Sequence, residues 1–392
     1  MASNVRKGLV IAAGAVVFAG SVSVVHLWRK WIQRRSQKLE QRIEDGIGME
    51  QLSILAKSSN VSLRRSAEQL LLDRITRREN FKFVLLCCRS QDEEQVLKAC
   101  TVLCVILKSV DYRSGGMDTY ILNTLADCLV RSMDASSFAK RTSDTSAPER
   151  IQRMTLAAIF DFICDSDEKK ELLLNETESV SAILNLVQQT RSKEVLRYAM
   201  FLLHQMAKCG SAHGYMIQSG AIPVFASLSV SQHGDNVLQK LCFQILVILL
   251  NTPGLNVEVF LKQIATQRVL IRAAVSCKSD DGELAYWAIA LLHEFAIHSN
   301  TKHYLYTMPF LLGNLQKALK SNPAQVQRLI LRIISFMALH HDKFKSEVLD
   351  NSQLMEHLPV CLASGEPDIV HWGLVLVHDL AVAGSDQDVA GK

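Results

Sequence analysis

EVLRYAMFLLHQMA, residues 194–207, decides the fold, because its pattern returns along most of the chain. ELAYWAIALLHEFA (283–296), QVQRLILRIISFMA (325–338) and DIVHWGLVLVHDLA (368–381) align with it residue for residue. Weaker copies are SLRRSAEQLLLDRI from Ser62, QVLKACTVLCVILK from Gln95, RIQRMTLAAIFDFI from Arg150 and NVLQKLCFQILVIL from Asn236. The second residue of each copy, taken as its reference, is Leu63, Val96, Ile151, Val195, Val237, Leu284, Val326 or Ile369. Successive references lie 33, 55, 44, 42, 47, 42 and 43 residues apart. Most of these intervals fall within the period of stacked helical repeats, in which each unit buries its apolar face only against its neighbours.

Within a copy the apolar residues fall at offsets 0, 4, 7–8 and 11 from the reference, which trace one face of an α-helix. Offset 8 is filled by Leu71, Cys104, Ile159, Leu203, Ile245, Leu292, Ile334 and Val377, and reads as the core position. Offset 4 is small in most copies (Ala67, Cys100, Thr155, Ala199, Ala288, Gly373), so a neighbouring helix can approach closely. The expected architecture is an all-α superhelical solenoid of about eight repeats over residues 51–384. A polar, Ser/Thr-rich insertion over 133–149 accounts for the long second interval, and 385–392 reads as a disordered tail. Ser143, following Lys140 and Arg141 in that insertion, is a candidate phosphorylation site.

Between copies, MIQSGAIP (216–223) places Gly220 to end one helix and Pro223 in the first turn of the next. This junction resembles that of armadillo repeats, and with a 42–47-residue period it favours armadillo over HEAT. Armadillo proteins of the importin-α and β-catenin type carry asparagines on the repeated helix that hold an extended peptide, and importin-α adds tryptophans one turn earlier. The matching offset 10 here holds Asp73, Ile106, Asp161, Gln205, Val247, Glu294, Phe336 and Asp379. Offset 6 holds Gln69, Val102, Ala157, Phe201, Phe243, Ala290, Arg332 and Val375. Both ladders are missing, so the resemblance implies a groove for protein partners, lined by Asp161, Gln205, Glu294 and Asp379, but not an importin-like one. Carboxylates at these places would accept hydrogen bonds from a basic partner.

The N-terminus has a different character. Gly8–Trp28 contains no acidic residue, Lys or Arg, and as a helix of 21 residues it matches one hydrocarbon core. Trp28 and Trp31 suit the headgroup interface, and the span is expected to be a signal anchor followed by a basic juxtamembrane segment over 29–50. Two basic residues precede the span and Arg29, Lys30, Arg34, Arg35 and Lys38 follow it, which orients the body to the cytosol. Ala15, Ala19 and Ser23 share one face, where two such helices could associate. The layout is similar to armadillo proteins anchored in the mitochondrial outer membrane, with the endoplasmic reticulum as the other candidate location. That similarity implies a scaffold or adaptor in mitochondrial positioning or dynamics. A groove that regulates small GTPases is the alternative.

Residues 1–45 hold eight basic and three acidic residues, which leaves a near-neutral body unlike a nucleic-acid binder. The ten cysteines form no CxxC pair and read as small, reduced core hydrophobes. No catalytic or cofactor motif stands out, and a non-enzymatic chain without cofactor or metal is expected. His204, His293 and His378 share offset 9 but sit two repeats apart. They are too distant to share a metal and are expected to be helix-surface residues.

Overall fold

In the computed structural model, seven of the eight copies become the long helix of a repeat. The structure describes residues 60–62, 78–107, 117–138, 147–176, 179–232, 234–265, 268–308, 310–321, 323–339 and 341–382. The anchor span with Ala15, Ala19 and Ser23, the reference residue of the first copy, Ser143 and the C-terminal tail all lie outside the described residues. No described helix is long and apolar enough to cross a membrane.

The chain divides into two units, Met1–Phe83 and Val84–Lys392. Of the first, the structure describes 60–62 and 78–83; Asn60 Oδ1 accepts hydrogen bonds from the Ser62 amide at 3.1 Å and from its hydroxyl at 2.8 Å. Helix α1 (Arg78–Cys88) runs across the boundary. The repeats below belong to the second unit.

Seven long helices form a ladder in which each packs on the next: α2 (Glu93–Leu107), α4 (Ala147–Ile163), α7 (Lys193–Ala207), α10 (Asn236–Leu250), α13 (Gly282–Ile297), α16 (Ala324–Ala338) and α19 (Pro367–Ala381). A second row, also packed in sequence, contains α3 (Asp118–Phe138), α6 (Ser179–Gln189), α9 (Ala221–Ser231), α12 (Val269–Ser276), α15 (Leu311–Ser321) and α18 (Ser352–Leu362). Shorter helices precede these: α5 (Asp167–Glu176), α8 (Gly210–Gln218), α11 (Val257–Ala265), α14 (Lys302–Tyr306) and α17 (Asp342–Leu349). From α5 onward the chain thus repeats a three-helix unit five times, and no described residue is in a strand.

Side chains set where the ladder helices begin. Ser192 Oγ accepts from the Val195 amide at 3.4 Å, Asp235 Oδ1 from Leu238 at 3.2 Å and Asp281 Oδ1 from Leu284 at 3.2 Å. Each cap satisfies an amide that has no partner within its own helix. These caps correct the register of the fifth copy. Its cap stands three residues before Leu238, as Ser192 stands three before Val195, so the reference is Leu238 and not Val237. Leu238 is fully buried and Val237 is 38% exposed. The shift also puts Cys242 at offset 4, which restores the small residue that Leu241 had interrupted.

The insertion is shorter than expected. Helix α3 continues through Asp134 to Phe138 and α4 begins at Ala147, so 139–146 alone separates them. Pro148 sits in the first turn of α4, where its missing N–H leaves no helix bond unmade. The junction at Gly220 has the expected form, with φ 78° and Pro223 in the first turn of α9. The same left-handed step recurs at Arg268 (φ 59°) and Phe310 (φ 68°), just before α12 and α15. Only glycine takes that conformation without steric cost, so residue identity hid two of the three junctions.

Offset 8 is buried in every interior ladder helix, but Val377 in α19 is 40% exposed. No described helix follows α19 to cover it, so the core reading fails at that position. Gly373, at offset 4 of α19, shows why small residues recur there: a Cβ added to it would lie 3.0 Å from Leu362 Cδ2 on α18. Gly373→Leu should therefore force α18 and α19 apart and cost about 1–3 kcal/mol in chemical denaturation. An unchanged midpoint would mean that the two helices do not meet there. Eight of the ten cysteines are buried and all are free thiols, in keeping with a packing role.

Candidate partner-binding face

Offsets 3, 6, 10 and 13 run along one strip of each ladder helix; the strip is buried on α2, where Ala99, Val102 and Ile106 are all covered, and is partly open on later helices. On α7 that strip carries Tyr198 and Phe201, each 39% exposed, followed by half-buried Gln205. On α13 it carries half-buried Trp287, then Ala290, Glu294 and Ile297. On α16 it holds Leu329, Arg332, Phe336 and Leu339, and on α19 Trp372, Val375, Asp379 and Val382.

The four residues expected to line the groove fall on this strip but not in one cluster. Asp161 on α4 and Gln205 on α7 are both half-buried and occupy adjacent ladder helices. Glu294 and Asp379 flank α16 from either side. These two carboxylates are largely covered, at 8% and 7% exposure. Asp379 Oδ2 already accepts a hydrogen bond from Ser335 Oγ, and its Oδ1 lies 3.3 Å from His378 Nδ1. Glu294 Oε1 lies 3.7 Å from His293 Nδ1. Both carboxylates are covered by the neighbouring ladder helices, and Asp379 already bonds Ser335 through one oxygen.

The histidines at offset 9 correct a second expectation. His204 and His293 are buried, at 8% and 7% exposure, and of the three only His378, on the last described helix, is exposed. Offset 9 adjoins the core position and turns toward the following ladder helix; the His293 ring lies 6.1 Å from Phe336 on α16. Burial, helped by Lys208 and Lys240, pushes the His204 imidazole down to about 4. Among the described residues no cluster of three or more metal-ligating side chains occurs.

Two features escaped the sequence reading. One is a ladder of ion pairs between successive long helices: Arg153–Glu194, Arg197–Asp235 at 2.7 Å, Lys240–Glu283 at 2.5 Å and Arg328–Asp368 at 2.7 Å. Each cation stands two residues after the reference of one copy, and each carboxylate stands at the N-terminal end of the next helix, where the helix dipole also favours it. Exposed pairs of this kind contribute at most about 1 kcal/mol each. Asp235 is the most covered: burial would raise its carboxyl, but Arg197 and the Leu238 and Val237 amides outweigh that and hold it below its usual value. The basic residue at offset 2 was a periodic signal in the sequence, visible once the fifth copy is moved to Leu238.

The other feature is an aromatic and cationic patch on α16 and α19. The Arg332 guanidinium carbon lies 4.9 Å from the Trp372 ring centroid and 5.9 Å from that of Phe336, and the two rings are 5.8 Å apart. Lys302 on α14 donates from Nζ to the Phe336 carbonyl at 2.9 Å, and burial lowers its pKa. Arg332 Nε is buried without a hydrogen-bond partner.

No protein-family model and no curated protein matches this sequence. Solved structures do match it in shape. A chain from work on the phosphorylation switch in the interaction between cadherin and β-catenin superposes with a TM-score of 0.62 at 15% identity, covering 86% of this chain and 61% of that one. An engineered protein gives 0.57 at 17% identity over 88% of this chain and 91% of that one. A designed armadillo repeat protein gives 0.50 at 14% identity over 65% and 99%. The fold is of the armadillo type. At such identities the likeness extends to the fold alone, so what this solenoid does must be argued from its own residues.

Proposed function

We propose that this chain is a non-enzymatic scaffold whose ladder face binds protein partners and whose N-terminal segment holds it at a membrane, with the repeats in the cytosol. The observation that carries the binding half is the aromatic content of this strip, which exposes Tyr198 and Phe201 and leaves Trp287, Phe336 and Trp372 half-buried along the row. Aromatic side chains supply large contact area for little lost rotamer freedom, and they are enriched where proteins meet. Comparison with a cadherin–β-catenin structure and with a designed armadillo repeat protein is consistent with such a role. The membrane half rests on the uncharged Gly8–Trp28 stretch and its basic flank. We place the protein at the mitochondrial outer membrane, in organelle positioning or dynamics.

Both halves are testable on one cell line. A reporter carrying residues 1–45 should co-purify with mitochondria and resist carbonate extraction; a soluble or secreted reporter overturns the tether. Asn60 and Asn175 begin glycosylation acceptor patterns, and both are exposed. A cytosolic body leaves them bare, so a glycosidase-sensitive mass shift would reverse the topology. Proximity labelling from the C-terminus should identify neighbours whose purified domains bind the full chain directly and lose at least tenfold in affinity with Tyr198→Ala and Phe201→Ala together. Undiminished binding by that variant would remove the ladder face from the function.

A further inference from the structure

We infer that Arg332 is the anchor of a carboxylate-binding site on the ladder face, built to take an Asp or Glu side chain of a protein segment together with an adjoining apolar residue. This deepens the scaffold reading above and rests on it. Three neighbouring charges have partners: Arg328 bonds Asp368 at 2.7 Å, Lys302 bonds the Phe336 carbonyl, and Asp379 receives Ser335 Oγ; the fourth, Glu294, lies 3.7 Å from His293 Nδ1 and makes no ion pair with Arg332. Arg332 has no hydrogen bond or ion pair among the described residues, and its Nε is fully covered without an acceptor. Burial and the nearby Arg328 lower its pKa, and the field of Glu294 only partly offsets them. The covered Nε is out of reach of a ligand, but the terminal Nη groups of this part-exposed side chain have no partner either, and an incoming carboxylate can bond both of them.

The walls say what accompanies the carboxylate. The Arg332 guanidinium stands beside both Trp372 and Phe336, 4.9 Å and 5.9 Å from their ring centroids, so aromatic surface adjoins the charge. Along the same strip Ile297 and Leu339 are 38% and 39% exposed, and Val375 is half-buried. One cation set among apolar residues suits an acidic side chain next to an aromatic or aliphatic one. It does not suit a polyanion backbone, which requires several free cations in a row.

The test is selection from a random 12-residue peptide display library on the immobilised full chain, run in parallel on Arg332→Gln. Wild-type selections should be enriched several-fold in Asp and Glu beside an apolar residue, and the enrichment should vanish on the variant. A selected peptide should lose at least tenfold in affinity when its acid is changed to the amide. It should lose as much on Arg332→Gln, and little more when both changes are combined. Arg332→Lys should recover only part of the affinity, because an ammonium cannot make the paired bonds. The variants should melt no lower than wild type, whereas an arginine with only a structural role would destabilise on removal. Absence of acid enrichment, or equal enrichment on Arg332→Gln, overturns the anchor. If binding then depends on Tyr198 and Phe201, the ladder face survives as the binding surface; if it depends on neither, both readings fall together.

Discussion

Leu292→Ala is expected to destabilise the repeat unit by about 2–5 kcal/mol, and Val377→Ala, at the same repeat offset, by less than about 1 kcal/mol. Leu292 is fully buried on α13 between α10 and α16, so truncation leaves a cavity that helices fixed on both flanks cannot easily close. Val377 is 40% exposed on α19 and already gives part of its surface to water. In a solenoid each unit is stabilised by its neighbours, so the loss at Leu292 should spread along the row. Hydrogen exchange should therefore quicken in α10 and α16 as well as in α13, while α4 changes least. Equal losses at the two sites in chemical denaturation would mean that Val377 is covered as Leu292 is, by a further element packed on α19.

Helix type and period were legible because eight copies share one apolar face, and no single stretch had to bear the assignment. Register followed from periodicity alone in the other described copies, α16 and α19 included, which carry no side-chain cap. It slipped in the fifth copy because Val237 and Leu238 are both acceptable apolar residues, and periodicity cannot choose between neighbours. Asp235 chooses, since its carboxylate caps Leu238 and also holds Arg197 on the preceding ladder helix. The junctions at Arg268 and Phe310 were hidden because non-glycine residues hold the left-handed step there. The strip on which offset 10 falls was legible, but the depth of its residues was not. Offset 10 looked like an acidic lining, but depth between ladder helices is a property of two copies together. Glu294 and Asp379 sink, and Arg332 stands on the strip with no hydrogen bond or ion pair among the described residues. A helical wheel drawn on one copy has no means of showing this.

His204 carries the second large expected effect, and its sign follows from burial. The folded protein holds the imidazole near 4, below the ordinary value of 6.5, so it stays neutral where an unfolded chain would bind a proton. Its contribution to stability is present in full above pH 6.5 and is lost progressively as the pH falls toward 4. A shift of that size corresponds to about 3 kcal/mol across the window. Carboxylates titrate in the same range, so the measurement is a difference between wild type and His204→Leu. The leucine fills the site without an ionisable group, and it removes an Nε2 that is buried without a partner. Urea unfolding at pH 7, 5.5 and 4 should show wild type losing about 3 kcal/mol more than the variant over that range. At pH 4 the variant is expected to be the more stable protein, since nothing at position 204 then favours the unfolded chain. Parallel pH dependences in the two proteins would show that His204 is protonated in the folded state, with water or an acceptor reaching Nε2 between α7 and α10.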